Sequence, residues 1–520
     1  MNIIPSIFND VIGPVMRGPS SSHTAASWRI ARLCLEILNE PLKKALVEFD
    51  KDGAWATNYQ EQGTVIGING GLLGLDITDP LMKTTEHVVI EEGLTINYKI
   101  SSFPTNHTNT VRLSLEGVNG KQIMITGVSV GGGAFEIRNI NNSEVKINGA
   151  YYELLVFADT EIYQEDVAKL FSEVEEINQI IFKRDLLNIK SLKEFSIETI
   201  EQLSKIKGCN NVIIISPLLP IIPRKKIEMP FDTIESLVIY SIENKCNLGD
   251  IGIIYEKQLS GLSDSDLFSK MKDIISIIEG SIKIGLNGTE YKDRILQHQS
   301  HLIEKASKEG KILQNSIVNQ IVANVTAIME SKSALEVIVA NPTAGSCGVI
   351  GGVIKAIADV LNSTKDEIAK AYFAAGIVGV YFAKGPGFSA EEHGCQVECG
   401  AASGMAAAAI AQLFGGTAKQ AIDSASMAIQ NMIGLICDPV ADRVEVPCLG
   451  KNVNAAVNAL TSATMVCSGY VAVIPLDEVI ETVSRVSSQM PSCVKCTGTG
   501  GLAITDTALK IKEKLRNIEH

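Results

Sequence analysis

Basic residues are scarce in this sequence. It has 46 Lys and Arg residues against 59 Asp and Glu residues, which gives a formal net charge of −13 at pH 7. A chain with this balance repels nucleic-acid phosphates and anionic membrane surfaces. We therefore expect neither a nucleic acid nor a membrane as a partner.

The sequence also lacks the marks of a secreted or membrane-spanning protein. Its first residues contain Pro5 and Asp10 and have no basic stretch before an apolar core, so no signal peptide is expected. Two long uncharged stretches, 399–418 and 452–476, contain too much Ala, Gly, Asn, Ser and Thr for membrane spans. They are typical of closely packed buried helices.

The first part of the chain predicts mixed structure. With 520 residues, of which 46% are hydrophobic, the chain has room for roughly two to four domains. Residues 1–148 combine a helical pattern at 25–38 with short strand-like runs, and they predict an α+β domain. Residues 149–217 follow the order βαββαβ, which is the order of ferredoxin-like units.

The second part predicts an all-α domain. Four prolines fall within the fifteen residues 216–230, and we expect a linker at 218–230 because proline fixes the backbone and removes donors. Residues 231–520 show no convincing strand alternation and repeat small apolar residues at helical spacing. They predict helices packed around a buried central one.

Cysteine is abundant towards the C-terminal end. Eleven cysteines occur, and eight of them lie between residues 347 and 496. In a long chain without a secretion signal, such clustering favours metal binding or redox chemistry over disulfides. Each cysteine taken alone is also typical of a small side chain in a core.

A hydroxyl-rich motif, GPSSSHT, spans residues 18–24 just before the predicted helix. Three serine hydroxyls and an imidazole at a helix start offer donors to a carboxylate or a phosphate, and His23 could carry a proton near neutral pH. The alternative is a Ser/Thr-rich turn in which Ser22 or Thr24 caps the helix.

A glycine-rich motif, NPTAGSCGVIGG, spans residues 341–352. Such a turn before a helix offers backbone N–H groups to an anion. It is not a Walker loop, because no lysine follows its last glycines. A tight turn between packed helices is the alternative.

The cysteines form no compact zinc motif. Cys395, Cys437 and Cys448 are separated by 42 and 11 residues. Three thiolates from separate segments fit an iron–sulfur cluster with one iron left open to a ligand, and three unrelated core thiols are the alternative. Cys493 and Cys496 form a CxxC outside any thioredoxin-like context, and two incidental thiols are the simpler interpretation.

Seven motifs occur in an order that resembles a known family: GPSSSHTA, HTNT, SVGGGAFEI, NPTAGSCGVIGG, HGCQVECGAASGMAAAA, CDPVADRVEVPC and TGTGGLA. Together they are similar to the iron–sulfur-dependent L-serine dehydratases, with the β part and the α part of that family fused in one chain. The resemblance implies a β-type, allosteric-substrate-binding-like domain at 1–148, an ACT-like domain at 149–217 and a helical α-type domain at 231–520.

The resemblance also implies a site. A 4Fe-4S cluster would be held by Cys395, Cys437 and Cys448, and its fourth iron would take a small amino-acid substrate. The serine-rich loop would contribute its three hydroxyls and His23, our candidate for the base, at a domain interface. The implied catalytic residues are Ser20, Ser21, Ser22 and His23, and the implied substrate-binding residues are Thr24, His107, Asn341, Thr343 and Ser346.

The implied reaction is the α,β-elimination that converts L-serine to pyruvate and ammonia, a carbon–oxygen lyase reaction. An open iron site is oxygen-sensitive and implies a cytoplasmic location, and the many small apolar residues make a homodimer the expected assembly. The same chemistry on threonine or cysteine is one alternative, because Trp28 stands where a smaller residue is expected. An amino-acid or redox sensor without turnover is another, although the turn at 158–161 lacks the Gly and Pro of an ACT effector site.

Overall fold

The chain is described by a computed structural model, which covers residues 4–517 except 142, 159–161, 173, 175, 184–185, 210, 225–226 and 315. Its first elements are β1 (Val15–Arg17), α1 (Ala26–Leu38), β2 (Leu42–Asp50), α2 (Trp55–Asn58), α3 (Thr64–Leu72), α4 (Thr85–Glu91), β3 (Thr95–Ser101), β4 (Thr110–Gly117), β5 (Gln122–Gly131), β6 (Ala134–Ile140) and β7 (Ser143–Ile147).

Within the described residues, six of these strands form one sheet in the order β3-β2-β4-β5-β6-β7. The β2 and β3 strands are parallel, and the other neighbours are antiparallel. Helix α1 has an apolar face that buries Ile30, Leu33 and Ile37 against β5 and β6. The predicted α+β character of this region is confirmed, and its helix begins one residue later than expected.

A second, smaller sheet follows. Its elements are β8 (Tyr152–Phe157), α5 (Gln164–Phe171), β9 (Ile177–Phe182), β10 (Leu186–Ser191), α6 (Ile197–Lys205) and β11 (Val212–Ile215). The strands pair antiparallel in the order β11-β8-β10-β9, so the predicted βαββαβ order is present. In the predicted turn at 158–161, residues 159–161 lie outside the described part of the chain.

The remaining residues are mainly helical. Their elements are α7 (Ile234–Glu243), α8 (Leu248–Ser260), α9 (Asp264–Asn287), α10 (His301–Lys308), α11 (Ile317–Ser333), β12 (Val337–Val339), α12 (Cys347–Leu361), α13 (Lys365–Lys384), α14 (Ala390–His393), α15 (Cys399–Leu413), α16 (Ala418–Gln430), α17 (Cys448–Cys467), α18 (Leu476–Gln489) and α19 (Asp506–Arg516).

Helix α15 is the buried central helix that the sequence predicts. It packs against α12, α13, α16 and α17, and every residue from Cys399 to Ala411 is buried. Its small side chains permit this close approach: a Cβ at Gly404 would lie 2.5 Å from Cδ1 of Ile429 on α16. A larger residue there would force the two helices apart.

One strand corrects the expectation of an all-α region at 231–520. Strand β12 pairs antiparallel with β1, so that Val339 lies opposite Val15. The partner of β12 is more than 300 residues away in sequence, so no pattern within 231–520 could reveal it.

The N-terminal segment belongs to the helical core by its packing. Ile7 and Phe8 lie in the same hydrophobic cluster as the residues of α13 and α15. The Glu256 carboxylate on α8 accepts hydrogen bonds from Ser6 Oγ at 2.5 Å and from the Ile7 N–H at 2.9 Å. Asn9 exchanges two hydrogen bonds with the Ile221 backbone. Because Ile221 is buried, the predicted linker at 218–230 packs against this segment.

Among the described residues, one stretch has the length and apolar composition to cross a membrane. It is Ala344–Leu361, and 78% of it is buried inside the protein. Burial of that extent is typical of a core helix. The two uncharged stretches singled out in the sequence lie largely in α15 and α17, which are also packed in this core.

Candidate active site

The thiols of Cys395, Cys437 and Cys448 come together although their segments are far apart in sequence. Cys395 lies in a short helical turn, Cys437 follows α16, and Cys448 begins α17. All three are buried. The Sγ atoms of Cys395 and Cys437 and a carboxylate oxygen of Glu398 lie within 4.8 Å of one another, a spacing that could hold a metal ion.

The electrostatics of these thiols favour a bound cation. Hydrogen bonding with Cys395 and then with Cys496 raises the pKa of the Cys437 thiol. Burial, and then the nearby Cys395, raise the pKa of Cys448. Neighbouring buried thiols cannot all ionise without a compensating positive charge, whereas a metal deprotonates them directly. The donor set therefore fits a metal centre.

The hydroxyl-rich motif faces these thiols from the N-terminal part of the chain. Residues Ser21–Ala25 form one π-helical turn that runs directly into α1. The N-cap of α1 is Ala25, and no side chain caps it, so the predicted capping by Ser22 or Thr24 is wrong. The serine hydroxyls are therefore not engaged by the helix end.

His23 lies behind the serines. Its Nδ1 is 3.2 Å from Ser20 Oγ and 3.1 Å from Ser22 Oγ, and its Nε2 is 2.9 Å from Asn58 Oδ1. The Asn58 oxygen needs a proton on Nε2, which leaves Nδ1 as the acceptor. Burial lowers the pKa of His23, so the ring is neutral and Nδ1 can receive a proton.

Two glutamates, Glu391 and Glu398, accept hydrogen bonds from hydroxyl groups around the thiols and serines. Ser22 Oγ donates to Glu391 Oε1 at 2.8 Å, and Thr343 Oγ1 donates to Glu398 Oε1 at 2.7 Å. Glu398 Oε2 also lies 3.7 Å from Cys395 Sγ. Burial raises the pKa of Glu398 to about 7, so a good part of this carboxyl is protonated near neutral pH.

The glycine-rich turn brings Thr343 beside the serines. Ser21 Oγ accepts a hydrogen bond from the Ala344 N–H at 3.2 Å, which joins the two motifs directly. Gly345 is required here, because a Cβ would lie 2.7 Å from Glu398 Oε1. The side-chain amide of Asn341 is buried, and neither its oxygen nor its nitrogen has a partner within the described residues.

These groups enclose one cavity between the N-terminal part and the helices. Its polar lining consists of hydroxyls from both parts, an amide, two carboxyls and three thiols. These residues are Ser20, Ser21, Ser22, Thr343, Gln62, Glu391, Glu398, Cys437, Cys448 and Cys496.

Several predicted residues lie outside this lining, and they include the proposed ligand Cys395 and the imidazole of His23. Thr24 is buried and donates to the Gln62 carbonyl at 3.3 Å. His107 lies before β4, where its Nδ1 accepts from the Asn109 N–H and its Nε2 is 3.9 Å from Glu392. Asn341 and Ser346 lie behind the glycine-rich turn, and Ser346 Oγ donates to the Asn341 carbonyl at 3.1 Å.

Trp28 does not restrict the cavity. Its Nε1 donates to the Leu75 carbonyl at 2.9 Å, and its ring packs near Gly70 of α3. The expectation that its bulk alters the choice of substrate is therefore not supported by its position.

Sequence reasoning missed Glu391, Glu398, Gln62 and Lys332. Lys332 is fully buried at the end of α11 and donates to the Val444 carbonyl. Glu398 gives one usable signal, since it is the last charged residue before a long uncharged run. The other three lie in segments whose patterns are those of ordinary helices and turns.

Comparison with known proteins decides the family. The sequence profile described as "Serine dehydratase alpha chain" matches residues 173–503. This chain belongs to the serine dehydratase alpha-chain family. The match covers the helices that carry the thiols and begins within the second sheet.

Relatives of this serine dehydratase family member include proteins named as alpha chains, as beta chains and as L-serine dehydratases. The "Probable L-serine dehydratase, alpha chain" of Bacillus subtilis is 34% identical over 285 residues, which is 55% of this chain and 95% of the relative. The beta chain of the same organism is 36% identical over 151 residues, 29% of this chain and 67% of the relative. "L-serine dehydratase 1" of Escherichia coli is 29% identical over 286 residues, 53% of this chain and 62% of the relative. One chain here thus matches both an alpha and a beta chain.

Proposed function

We propose that this chain is an L-serine ammonia-lyase that converts L-serine to pyruvate and ammonia. One observation supports this most: a single buried cavity has thiols and carboxyls from the helices on one side and serine hydroxyls from the N-terminal part on the other. Relatives that match the two parts are named L-serine dehydratase alpha and beta chains. The fused chain supplies both sides of the site.

Cys395, Cys437 and Cys448 are the proposed ligands of a 4Fe-4S cluster. Their clustered, buried thiols and the absence of a disulfide among the described cysteines fit such a centre. When bound, the cluster supplies a Lewis acid that makes the β-hydroxyl a better leaving group.

The serine hydroxyls are the proposed anchor for the substrate carboxylate. Ser21 Oγ already accepts the Ala344 N–H, so its own proton is free to donate into the cavity. Ser20 lines the same wall. Several short donors fixed in this way hold a carboxylate without a positively charged side chain.

His23 is the proposed final acceptor of the Cα proton. It is fully buried and outside the cavity lining, so the proton reaches it through a serine hydroxyl. Ser22 fits this relay because its Oγ lies 3.1 Å from His23 Nδ1 and 2.8 Å from Glu391 Oε1. Asn58 keeps the ring in the tautomer that receives the proton.

Loss of the Cα proton and of the β-hydroxyl leaves aminoacrylate. This enamine tautomerises to an imine, and hydrolysis of the imine gives pyruvate and ammonia. Glu398 lies beside the thiols, and burial raises its pKa to about 7, so the protonated fraction of this carboxyl can donate a hydrogen bond to the departing hydroxyl.

The other features have supporting roles. We propose that the βαββαβ unit is ACT-like and serves as a spacer between the six-stranded sheet and the helices. We also propose a homodimer in a reducing cytoplasm. His107, Asn341 and Ser346 position the loops that carry the lining residues, since none of them lines the cavity itself.

The test is anaerobic reconstitution of the full chain with iron and sulfide. We expect bound iron and sulfide, a brown cluster spectrum, and pyruvate from L-serine at a higher kcat/KM than from threonine or cysteine. An iron-free chain with full activity would contradict the cluster. Turnover of another amino acid without turnover of serine would contradict the substrate.

A further inference from the structure

Cys496 is a fourth buried thiol at the candidate metal centre. It lies in the loop between α18 and α19, where its exposed fraction is 6%. Cys493, three residues earlier in the same loop, is half-buried and does not line the cavity. The two cysteines of the CxxC therefore have different surroundings.

Backbone hydrogen bonds attach the Cys496 loop to Cys437. The Cys437 N–H donates to the Val494 carbonyl at 2.8 Å, and the Cys496 N–H donates to the Cys437 carbonyl at 2.9 Å. Cys496 has a φ of 61°, in the left-handed region that side chains other than glycine rarely adopt. These contacts fix the Cys496 backbone beside Cys437.

The Cys496 thiol points to the same space as the proposed ligands. Cys395, Cys437 and Cys496 belong to one small buried cluster, and the thiols of Cys437 and Cys496 are hydrogen-bonded to each other. Cys496 also lines the cavity together with Cys437 and Cys448.

The N-terminal part of the chain contacts this sulfur as well. The Gln62 side-chain amide lies 3.9 Å from Cys496 Sγ, with its N–H directed at the sulfur. N–H groups directed at sulfur are common around metal-bound thiolates, where they tune the centre. This contact is buried and links both halves of the chain.

Cys399 is the obvious competitor and has a different environment. Its Sγ lies 3.6 Å from the side-chain amide of Asn452 on α17. Burial, and then the nearby Cys395, raise the pKa of its thiol. Cys399 belongs to the hydrophobic cluster of the helical core, whereas Cys496 shares a small cluster with Cys395 and Cys437.

We propose that Cys496 is a fourth sulfur ligand of the metal centre, beside Cys395, Cys437 and Cys448. This inference rests on the proposed function. On metal binding the Cys496 thiol would lose its proton. With Cys496 as a ligand, each iron of a bound four-iron cluster would have a cysteine sulfur, and the substrate hydroxyl would have to replace that of Cys496.

Iron retention under mild oxidation tests this assignment. An iron without a cysteine ligand leaves a four-iron cluster more readily than irons held by thiolates. The full chain, Cys496→Ser and Cys493→Ser are reconstituted anaerobically and treated with a limiting amount of ferricyanide. Iron content and the electron paramagnetic resonance signal of a three-iron cluster are then measured.

We expect the wild-type chain and Cys493→Ser to keep their iron. Cys496→Ser is expected to lose about one quarter of its iron and to show the three-iron signal. Equal loss from the wild type and Cys496→Ser would overturn the inference, and so would equal loss from Cys493→Ser and Cys496→Ser.

A second measurement uses the wild type alone in case Cys496→Ser does not fold. Mössbauer spectra of the ⁵⁷Fe-loaded chain without substrate should show no iron with a distinct, oxygen-type environment. One distinct iron would overturn the inference. A cluster with such an iron leaves the proposed function intact, whereas a wild-type chain that binds no cluster would overturn both.

Discussion

The two sides of the cavity are built in different ways. The N-terminal side comes mainly from one continuous motif, because Ser20, Ser21 and Ser22 follow one another in a single turn. The helical side comes from several separate segments, which bring Thr343, Glu391, Glu398, Cys437, Cys448 and Cys496 to the same place. One side depends on a local turn, and the other depends on the packing of the helical core.

The two sides also differ in chemistry. The N-terminal side presents neutral hydroxyls backed by a neutral imidazole. The helical side presents thiols and carboxyls, with the buried ammonium of Lys332 nearby. Soft sulfur ligands suit iron, and hydroxyl donors suit a carboxylate. This difference supports the proposal that the helices hold the metal and that the N-terminal turn binds the substrate carboxylate.

The largest expected effect comes from replacing a proposed metal ligand on the helical side. Cys437→Ser should abolish both the cluster and the activity, because Cys437 contacts Cys395 and Cys496 and a serine hydroxyl is a poor iron ligand. Iron content, the visible spectrum and pyruvate formation measure this. The matched control is Cys399→Ser, which should keep the cluster because Cys399 packs against Asn452. Equal loss in both variants would mean that the ligands are assigned wrongly.

A smaller effect is expected from the N-terminal side. Ser22→Ala removes the hydroxyl between His23 and Glu391, and kcat/KM for serine should fall by roughly 10²-fold, as for loss of one fixed catalytic donor. The iron content should not change. Ser101→Ala, at the far end of β3 with its Oγ on Glu48, is the control and should keep full activity. Loss of iron from Ser22→Ala would contradict the proposal that the helical side alone holds the metal.

The smallest expected effect on catalysis comes from the contact between Glu256 of α8 and the N-terminal segment, which lies outside the cavity lining. Burial raises the pKa of Glu256 from 4.5 to about 7. The folded state therefore binds the proton of the Glu256 carboxyl more tightly than the unfolded state does. The stability that this proton contributes to the folded state is lost as the pH rises from about 4.5 to about 7. Glu256→Gln keeps an acceptor for the Ile7 N–H and has no such titration.

Urea unfolding at pH 5 and pH 8 measures this prediction. From pH 5 to pH 8, the free energy of unfolding of Glu256→Gln should rise by on the order of 1–3 kcal/mol relative to that of the wild type. Glu116→Gln, at an exposed ion pair with Lys43, is the control and should show no comparable gain. A wild type and a Glu256→Gln variant with parallel pH dependence would show that this carboxyl titrates normally in the folded chain.

Much of the fold follows from local patterns. The helix before the six-stranded sheet, the βαββαβ order and the buried central helix all come from periodicity over short windows. The pairing of β1 with β12 does not, because its two strands are separated by most of the chain. The packing of the proline-rich segment on Asn9 escaped prediction for the same reason.

The candidate site shows the same division. The serines were recognisable because three hydroxyls and a histidine follow one another, and Cys395, Cys437 and Cys448 were recognisable by resemblance to a family. Glu391 and Gln62 were not recognisable, since an acidic residue in a short helix and an amide in a turn carry no local signal. The place of His23 behind the serines also depends on Asn58, which lies on another helix.

By itself, the sequence determined the classes of structure, the hydroxyl-rich turn and the excess of cysteines towards the C-terminal end. These properties depend on composition and on neighbours along the chain. Only the tertiary structure decided that Cys496 lines the cavity with Cys437 and Cys448 while Cys399 packs on Asn452, because these positions depend on neighbours in space and not on any local pattern. A buried thiol becomes a metal ligand through the other thiols around it, and that arrangement exists only after the helices have packed.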